Sequence, residues 1–307
     1  MNGRWRKRGC VYAPPSVALH PKLATHAANP LPVHLAGDVY RVFYSGRDSA
    51  NRSSVGAVDV DVVRGEVVQV HAEPFFVHGP PGSFFEAGVS IGCLHTVGEQ
   101  TWMLFMGWQT PEGGHWRGDI GALRVGNDLS LSLDGDRPWM GVDATDPMSL
   151  SYPWSLRLAD GTWRLWYGST LAWDAGNGEM LHVINAATSV DGRHWTREGL
   201  SVPFQLGRAQ AFSRPTVVVD DRGGFDMWFS YRGAPGCAYR IGRARSADGL
   251  AWCLCLDEAG IDVSADGWDS EMVEYPFVWT HGGQRYMLYN GNGHGRSGFG
   301  LAQWEGD

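Results

Sequence analysis

Four acidic residues stand just ahead of apolar runs in widely separated parts of this 307-residue chain: Glu86 in GSFFEAGVS, Asp146 in DATDPMSLSYP, and Glu271 and Glu274 in GWDSEMVEYP. Asp48 and Asp269 lie in loops of the same kind. Carboxylates that face each other from different parts of a fold are what cleavage of a glycosidic bond requires, one held protonated as general acid and the other ionised as base or nucleophile. Glu271 stands out because its polar segment leads into an apolar run, where a carboxylate without a purpose is costly. Glu271 and Glu86 are therefore the expected acid and base pair, with Asp146 tuning or positioning them. Each carboxylate has a plainer reading as a turn-former or an arginine partner.

Donors are spread over the same loops. His26, Arg214 and His294 are expected to contact a substrate, and Asn29, Arg47, Asp48, Trp108, Arg232, Glu274 and Arg296 to complete its binding site. The planar guanidinium suits phosphate or carboxylate bidentately, so an anionic group is one possible ligand; a web of structural arginine–carboxylate pairs is the alternative. Trp108, Trp116, Trp154, Trp173 and Trp268 are placed either to stack on sugar rings or to pack between neighbouring elements.

Other chemistries fall away. The chain has only two lysines, Lys7 and Lys22, near its start, which argues against a Schiff-base or P-loop lysine. There is no GxSxG elbow and no HExxH, and the glycines of NGNGHGRSGFG follow a strand rather than opening a helix, so no dinucleotide fingerprint is present. Net charge of −8 without a basic cluster beyond Arg4 to Arg8 speaks against nucleic acid. No run approaches the roughly 20 apolar residues of a membrane span. Five cysteines without CxxC spacing read as free thiols. With no apolar segment after the charged N-terminus, the expected location is the cytoplasm. No metal and no cofactor are expected from these patterns.

The elements that hold these residues are legible in the punctuation. Glycine and proline account for 58 residues, and the longest stretch free of both runs only from Glu179 to Asp191, which leaves no room for ordinary helices. An aromatic run recurs as YRVFYS from Tyr40, WMLFMG from Trp102, WRLWYG from Trp163, FDMWFS from Phe225 and YMLYNG from Tyr286, at intervals of 62, 61, 62 and 61 residues. Before each comes a tight-turn cluster and, ten residues upstream, a mark: Pro30, Gly92, Pro153, Pro215 or Pro276. Proline is expected there as the first residue of a strand, where no ladder donor is needed. The turns SVDGRHW and SADGLAW close later hairpins.

Each unit reads as a four-stranded antiparallel meander, and five in a row predict an all-β, single-domain, five-bladed β-propeller. Blade cores are expected near 28–75, 86–136, 149–200, 211–257 and 272–307, with residues 4–12 closing the ring against the last blade. Trp5, Trp195 and Trp252 recur at one blade position and read as packing. Function is expected on the face of the long loops, around the central channel.

Asn29-Pro30, the arginine-led aromatic runs, SADGLAW, GWDSEMVEYP and YMLYNGNGHGRSGFG together resemble the five-bladed propeller superfamily of glycoside hydrolase families 43, 32, 68 and 130, over nearly the whole chain. They are most similar to a cytoplasmic, glycosidase-like branch associated with polysaccharide or natural-product clusters. The resemblance implies an enzyme acting on a small glycoside or sugar-containing metabolite, of unassigned oligomeric state. It implies a catalytic Asp before the first-blade proline, a place held here by Asn29, whose amide cannot serve as a base. It maps a second carboxylate onto Glu86 or Asp146 and leaves Gln210 where a fourth-blade acid would stand. Phosphorolytic relatives hold phosphate with Arg and His, and some relatives carry a central calcium near a fifth-blade histidine, here His294. A silent carbohydrate-binding propeller and a phosphate-using or non-hydrolytic enzyme are the alternatives.

Overall fold

The computed structural model describes residues 3–220 and 223–306. Asp221 and Arg222, from the fourth repeat's turn cluster DRGG, lie outside the described residues, as do residues 1, 2 and 307. The architecture is all-β. Among the described residues no helix exceeds four residues, and none is long and apolar enough to cross a membrane.

After β1 (Arg4–Tyr12), the first repeat forms β2 (Thr25–Ala36), β3 (Val39–Arg47), β4 (Ser53–Asp61) and β5 (Glu66–Phe76), paired antiparallel in that order. The second forms β6 (Gly88–Val97), β7 (Gln100–Gln109), β8 (Arg117–Val125) and β9 (Leu131–Leu133). The third forms β10 (Ser149–Arg157), β11 (Trp163–Ala172), β12 (Leu181–Ser189) and β13 (Thr196–Leu200). The fourth forms β14 (Ala211–Val219), β15 (Phe225–Arg232), β16 (Arg240–Ser246) and β17 (Cys253–Leu254). The last forms β18 (Glu274–His281), β19 (Gln284–Asn290) and β20 (Phe299–Glu305), and β1 pairs antiparallel with β20, Trp5 opposite Trp304. The first strands touch one another in cyclic order, β2 to β6, β10, β14, β18 and back to β2.

Burial explains which runs became which strands. Every residue of β4 is buried, whereas β13 alternates exposed and half-buried residues, because an outermost strand keeps one face in water. The Asp-Gly hairpins are held by their own carboxylates. Asp191 Oδ1 accepts from the backbone N–H groups of Arg193 and His194, each at 2.8 Å, and the His194 bonds foremost hold this carboxyl well below the usual carboxylate range. In β1, Lys7 Nζ donates to Asp269 Oδ2 at 2.7 Å, and Tyr289 donates to the same oxygen, which ties the N-terminal strand to the fifth repeat.

The prolines are not strand openers. Pro30, Pro153, Pro215 and Pro276 each lie inside a first strand, where the pairing register jumps: between Ala28 and Leu31, Ser151 and Trp154, Ser213 and Thr216, and Glu274 and Phe277. β6 jumps too, between Ile91 and Leu94. A bulge leaves residues unpaired, so a proline without an N–H costs nothing there. The residue before each proline takes a left-handed conformation: Asn29 at φ 55°, Tyr152 at 33°, Arg214 at 46° and Tyr275 at 53°. Such strain costs about 1–3 kcal/mol per residue and persists where the surroundings over-determine it.

Arg214 shows how. Its side chain is buried, with Nη1 donating to the Tyr275 carbonyl at 2.8 Å and Nη2 to the Pro30 carbonyl at 2.7 Å, and its guanidinium lies 5.6 Å from the centre of the Phe277 ring. One side chain thus joins the first strands of the fourth, fifth and first repeats. Arg214→Ala leaves two buried carbonyls unpaired and is expected to cost about 3 kcal/mol, read as a lowered midpoint of urea unfolding.

Candidate active site

All five repeats contribute to one cavity of about 330 Å³. Its wall comprises Arg47 and Asn51 from the first repeat, Ser90, Met106, Trp108 and Trp116 from the second, and Ser151, Tyr152, Met180 and His182 from the third. Phe212, Ser213, Arg232 and Tyr239 come from the fourth, and Tyr275 and His294 from the fifth. The bulges build much of this lining: Ser151, Tyr152, Ser213 and Tyr275 all stand at register jumps.

The charged centre is a pair. Glu274, the first residue of β18, has no exposed surface. Burial pushes its carboxyl above the usual carboxylate range, against the pull of His294. His294 Nδ1 lies 3.0 Å from Oε1 and 3.2 Å from Oε2; the hydrogen bond runs to Oε2, and Oε1 has no hydrogen-bond partner of its own. The hydrogen bond to Glu274 raises the imidazole above its ordinary value, overcoming burial and the nearby Arg47 and Arg232. His294 reaches this position from a turn in which Gly293, His294 and Gly295 are all left-handed, at φ 67°, 59° and 86°. A Cβ at position 295 would lie 2.8 Å from the Ala28 Cα, so the glycine-rich segment serves a close approach to β2.

Around this pair the wall carries donors. Arg47 donates to Asn51 Oδ1 at 2.9 Å and makes no ion pair among the described residues. Arg232 Nη2 donates to Glu179 at 3.0 Å, its guanidinium lies 4.9 Å from the centre of the Tyr239 ring, and its Nε is buried without a partner. Ser213 Oγ is likewise buried and unpartnered. His182 is fixed between two hydroxyls, Ser151 at Nε2 and Thr170 at Nδ1, both at 2.7 Å, and burial pushes it down to about 3, so it is neutral. Tyr152, Tyr239 and Tyr275 are kept as neutral phenols, burial being the first cause in each.

Several expected site residues lie elsewhere. Glu271 is exposed outside the cavity wall; its N–H donates to Asn292 Oδ1 and its carbonyl accepts from Arg240. The strand starts three residues later, so the argument from entry into an apolar run belongs to Glu274. Asp146 is fully buried and accepts from Tyr167 at 2.8 Å, Asn185 at 2.7 Å and Arg197, which makes it a structural anchor. Asp48 shapes its own loop, accepting from the Ala50 and Arg52 N–H groups and from Arg52 Nε, each at 2.9 Å. Glu86 lines a neighbouring cleft and accepts from the Gly82 N–H.

Arg214 lies outside the cavity wall with both terminal nitrogens given to carbonyls, and Arg296 is exposed outside the wall. His26 is buried behind Arg47, Arg296 and His294; burial first, then those charges, lower it to about 4. Asn29 is buried, its N–H donating to Asn290 Oδ1 and its own Oδ1 unpartnered. Trp154 and Trp268 pack against Phe277 and Tyr289, while Trp173 stacks on His115 and meets Trp116. The donors beside His294 do not suit a calcium, which needs several free oxygens: Glu274 is engaged by His294 and Glu179 by Arg232. Sequence reasoning missed Tyr152, Tyr275 and His182; the tyrosines carried a usable signal, their place immediately before the proline mark.

The geometry makes a signed expectation for titration. Glu274→Gln removes the charge that holds the His294 imidazole up, while burial and both arginines still press it down. The His294 value followed by NMR should lie above 6.5 in the wild type and fall below 6.5 in the variant.

No family model matches the chain. Two Mycobacterium tuberculosis proteins, MT1551 and Rv1502, are each 42% identical to it over 303 residues, covering 98% of this chain and 99% of their own length. Among solved structures, a glycosyl hydrolase from Bacteroides ovatus superposes with a TM-score of 0.74 at 13% identity, covering 99% of this chain and 94% of that one. A member of the GH130 family, described as mannoside phosphorylases and glycoside hydrolases targeting β-1,2 mannosidic linkages in Candida mannan, reaches 0.73 at 14% identity, with 99% and 94% covered. A thermostable family-43 glycoside hydrolase reaches 0.66 at 14%, with 92% and 88% covered. The chain belongs to the family of the M. tuberculosis proteins MT1551 and Rv1502, and it shares its fold with the solved glycoside hydrolases on which it superposes.

Proposed function

We propose that the five strand groups are the blades of one five-bladed propeller closed by β1, and that its cavity cleaves a glycosidic bond in a small sugar-containing molecule. The observation that carries this reading is a pair of buried polar atoms left without hydrogen-bond partners in the cavity wall, Ser213 Oγ and Arg232 Nε. Buried polar groups are nearly always paired, so a hydroxyl-rich ligand is their natural complement. Trp108, Trp116 and the three tyrosines supply faces for the apolar side of a sugar ring.

Glu274 and His294 act as one proton-donating unit. With Nδ1 engaged by the carboxylate, the imidazolium offers its Nε2 proton to the departing glycosidic oxygen as the C–O bond breaks. Arg47 and Arg232 hold negative charge on the ligand or the acceptor. The acceptor in the leading reading is water. A second reading has inorganic phosphate as acceptor, favoured by the guanidinium of Arg47, which faces the cavity and makes no ion pair among the described residues. The five free cysteines fit a reducing cytoplasm.

The test is turnover of a panel of aryl glycosides with and without phosphate. Glu274→Gln should lower kcat by roughly 10²-fold or more on whichever substrate is cleaved; full turnover in the variant would sink the mechanism. A sugar phosphate formed only when phosphate is present identifies the second reading.

A further inference from the structure

A second cleft, of about 320 Å³, opens between the first two repeats and is lined by Asn51, Arg52, Gly79, Glu86, Trp108 and Thr110 among others. Asn51 and Trp108 also line the cavity that contains His294, so the two spaces share a wall.

That shared wall is rigid. Trp108 Nε1 donates to Ser53 Oγ at 3.0 Å, which sets the plane of the indole. Gly88 packs under it, where a Cβ would lie 2.7 Å from the same Nε1 and collide with Ser53. Asn51 sits at φ 64° in the loop that Asp48 organises, with its Oδ1 held by Arg47 of the main cavity. Loop and indole are therefore fixed before any ligand arrives.

The chemistry of the cleft differs from that of the cavity. Its cation, Arg52, is already paired with Asp48 at 2.9 Å, leaving Glu86 as a carboxylate that keeps acceptor capacity beyond the Gly82 N–H. An anion is disfavoured there, and a hydroxyl-bearing neutral ring is favoured. We infer that this cleft is a second sugar subsite, in which Trp108 stacks on the ring and Glu86 accepts its hydroxyl hydrogens, so that the ligand spans at least two sugar units. This rests on the reading of the main cavity as a sugar site.

Calorimetry on the full chain with a panel of methyl hexopyranosides and the matching disaccharides tests it. A disaccharide should bind roughly tenfold tighter than its single-ring counterpart, and Thr110→Trp, which fills the cleft from an exposed position, should bring that ratio close to one. Glu86→Gln keeps an oxygen for Gly82 but loses the charge, and should cut the ratio by roughly threefold. Equal affinities in the wild type, or a ratio untouched by both variants, overturns the second subsite while leaving the first intact. Absence of binding by every sugar overturns the reading of the main cavity and this inference with it.

Discussion

A guanidinium buried without a carboxylate is the interaction on which the centre of this molecule depends. Arg214 donates its two terminal nitrogens to the carbonyls of Tyr275 and Pro30 and packs on the Phe277 ring, and in doing so joins three first strands. Desolvation lowers its value to about 9, so it still carries charge at neutral pH. Carbonyl dipoles replace water here, and they are free to do so only because the adjacent residues bulge out of the sheet ladders. The strained backbone at Asn29, Tyr152, Arg214 and Tyr275 and the buried cation are two sides of one arrangement.

The cavity above it follows from the same geometry. Bulges turn Ser151, Tyr152, Ser213 and Tyr275 into the lining, while Glu274 is sealed behind His294. Burial and charge then divide the histidines. His182 and His26 are driven neutral by desolvation, and His294 is held up by a carboxylate. His182 and His294 in the cavity wall, and His26 behind it, thus take on different charge states through their surroundings alone.

Much of the fold was legible because it is written in local signals: aromatic runs at regular intervals, Asp-Gly turns, and proline marks that recur in register. The prolines were misread as strand openers because sequence shows where a ladder donor is missing but not whether the strand continues beyond it. The site was less legible. Glu271 and Glu274 share one short segment, and only the position of the first residue of β18 decides which is exposed and which is buried. Asp146 looked like a loop acid but meets Tyr167, Asn185 and Arg197 from strands and turns distant in the chain.

By itself the sequence determined the strand content, the fivefold repetition, the region that pairs β1 with the last repeat and the loops that carry chemistry, because each depends on neighbours within one repeat or on a period along the chain. The tertiary structure alone decided which carboxylate meets which base, since the Glu274–His294 pair, the Arg214 bridge and the wall shared through Trp108 join residues whose separation in space bears no relation to their separation in sequence. Charge state follows burial and partner, and both are properties of the assembled strands rather than of any segment.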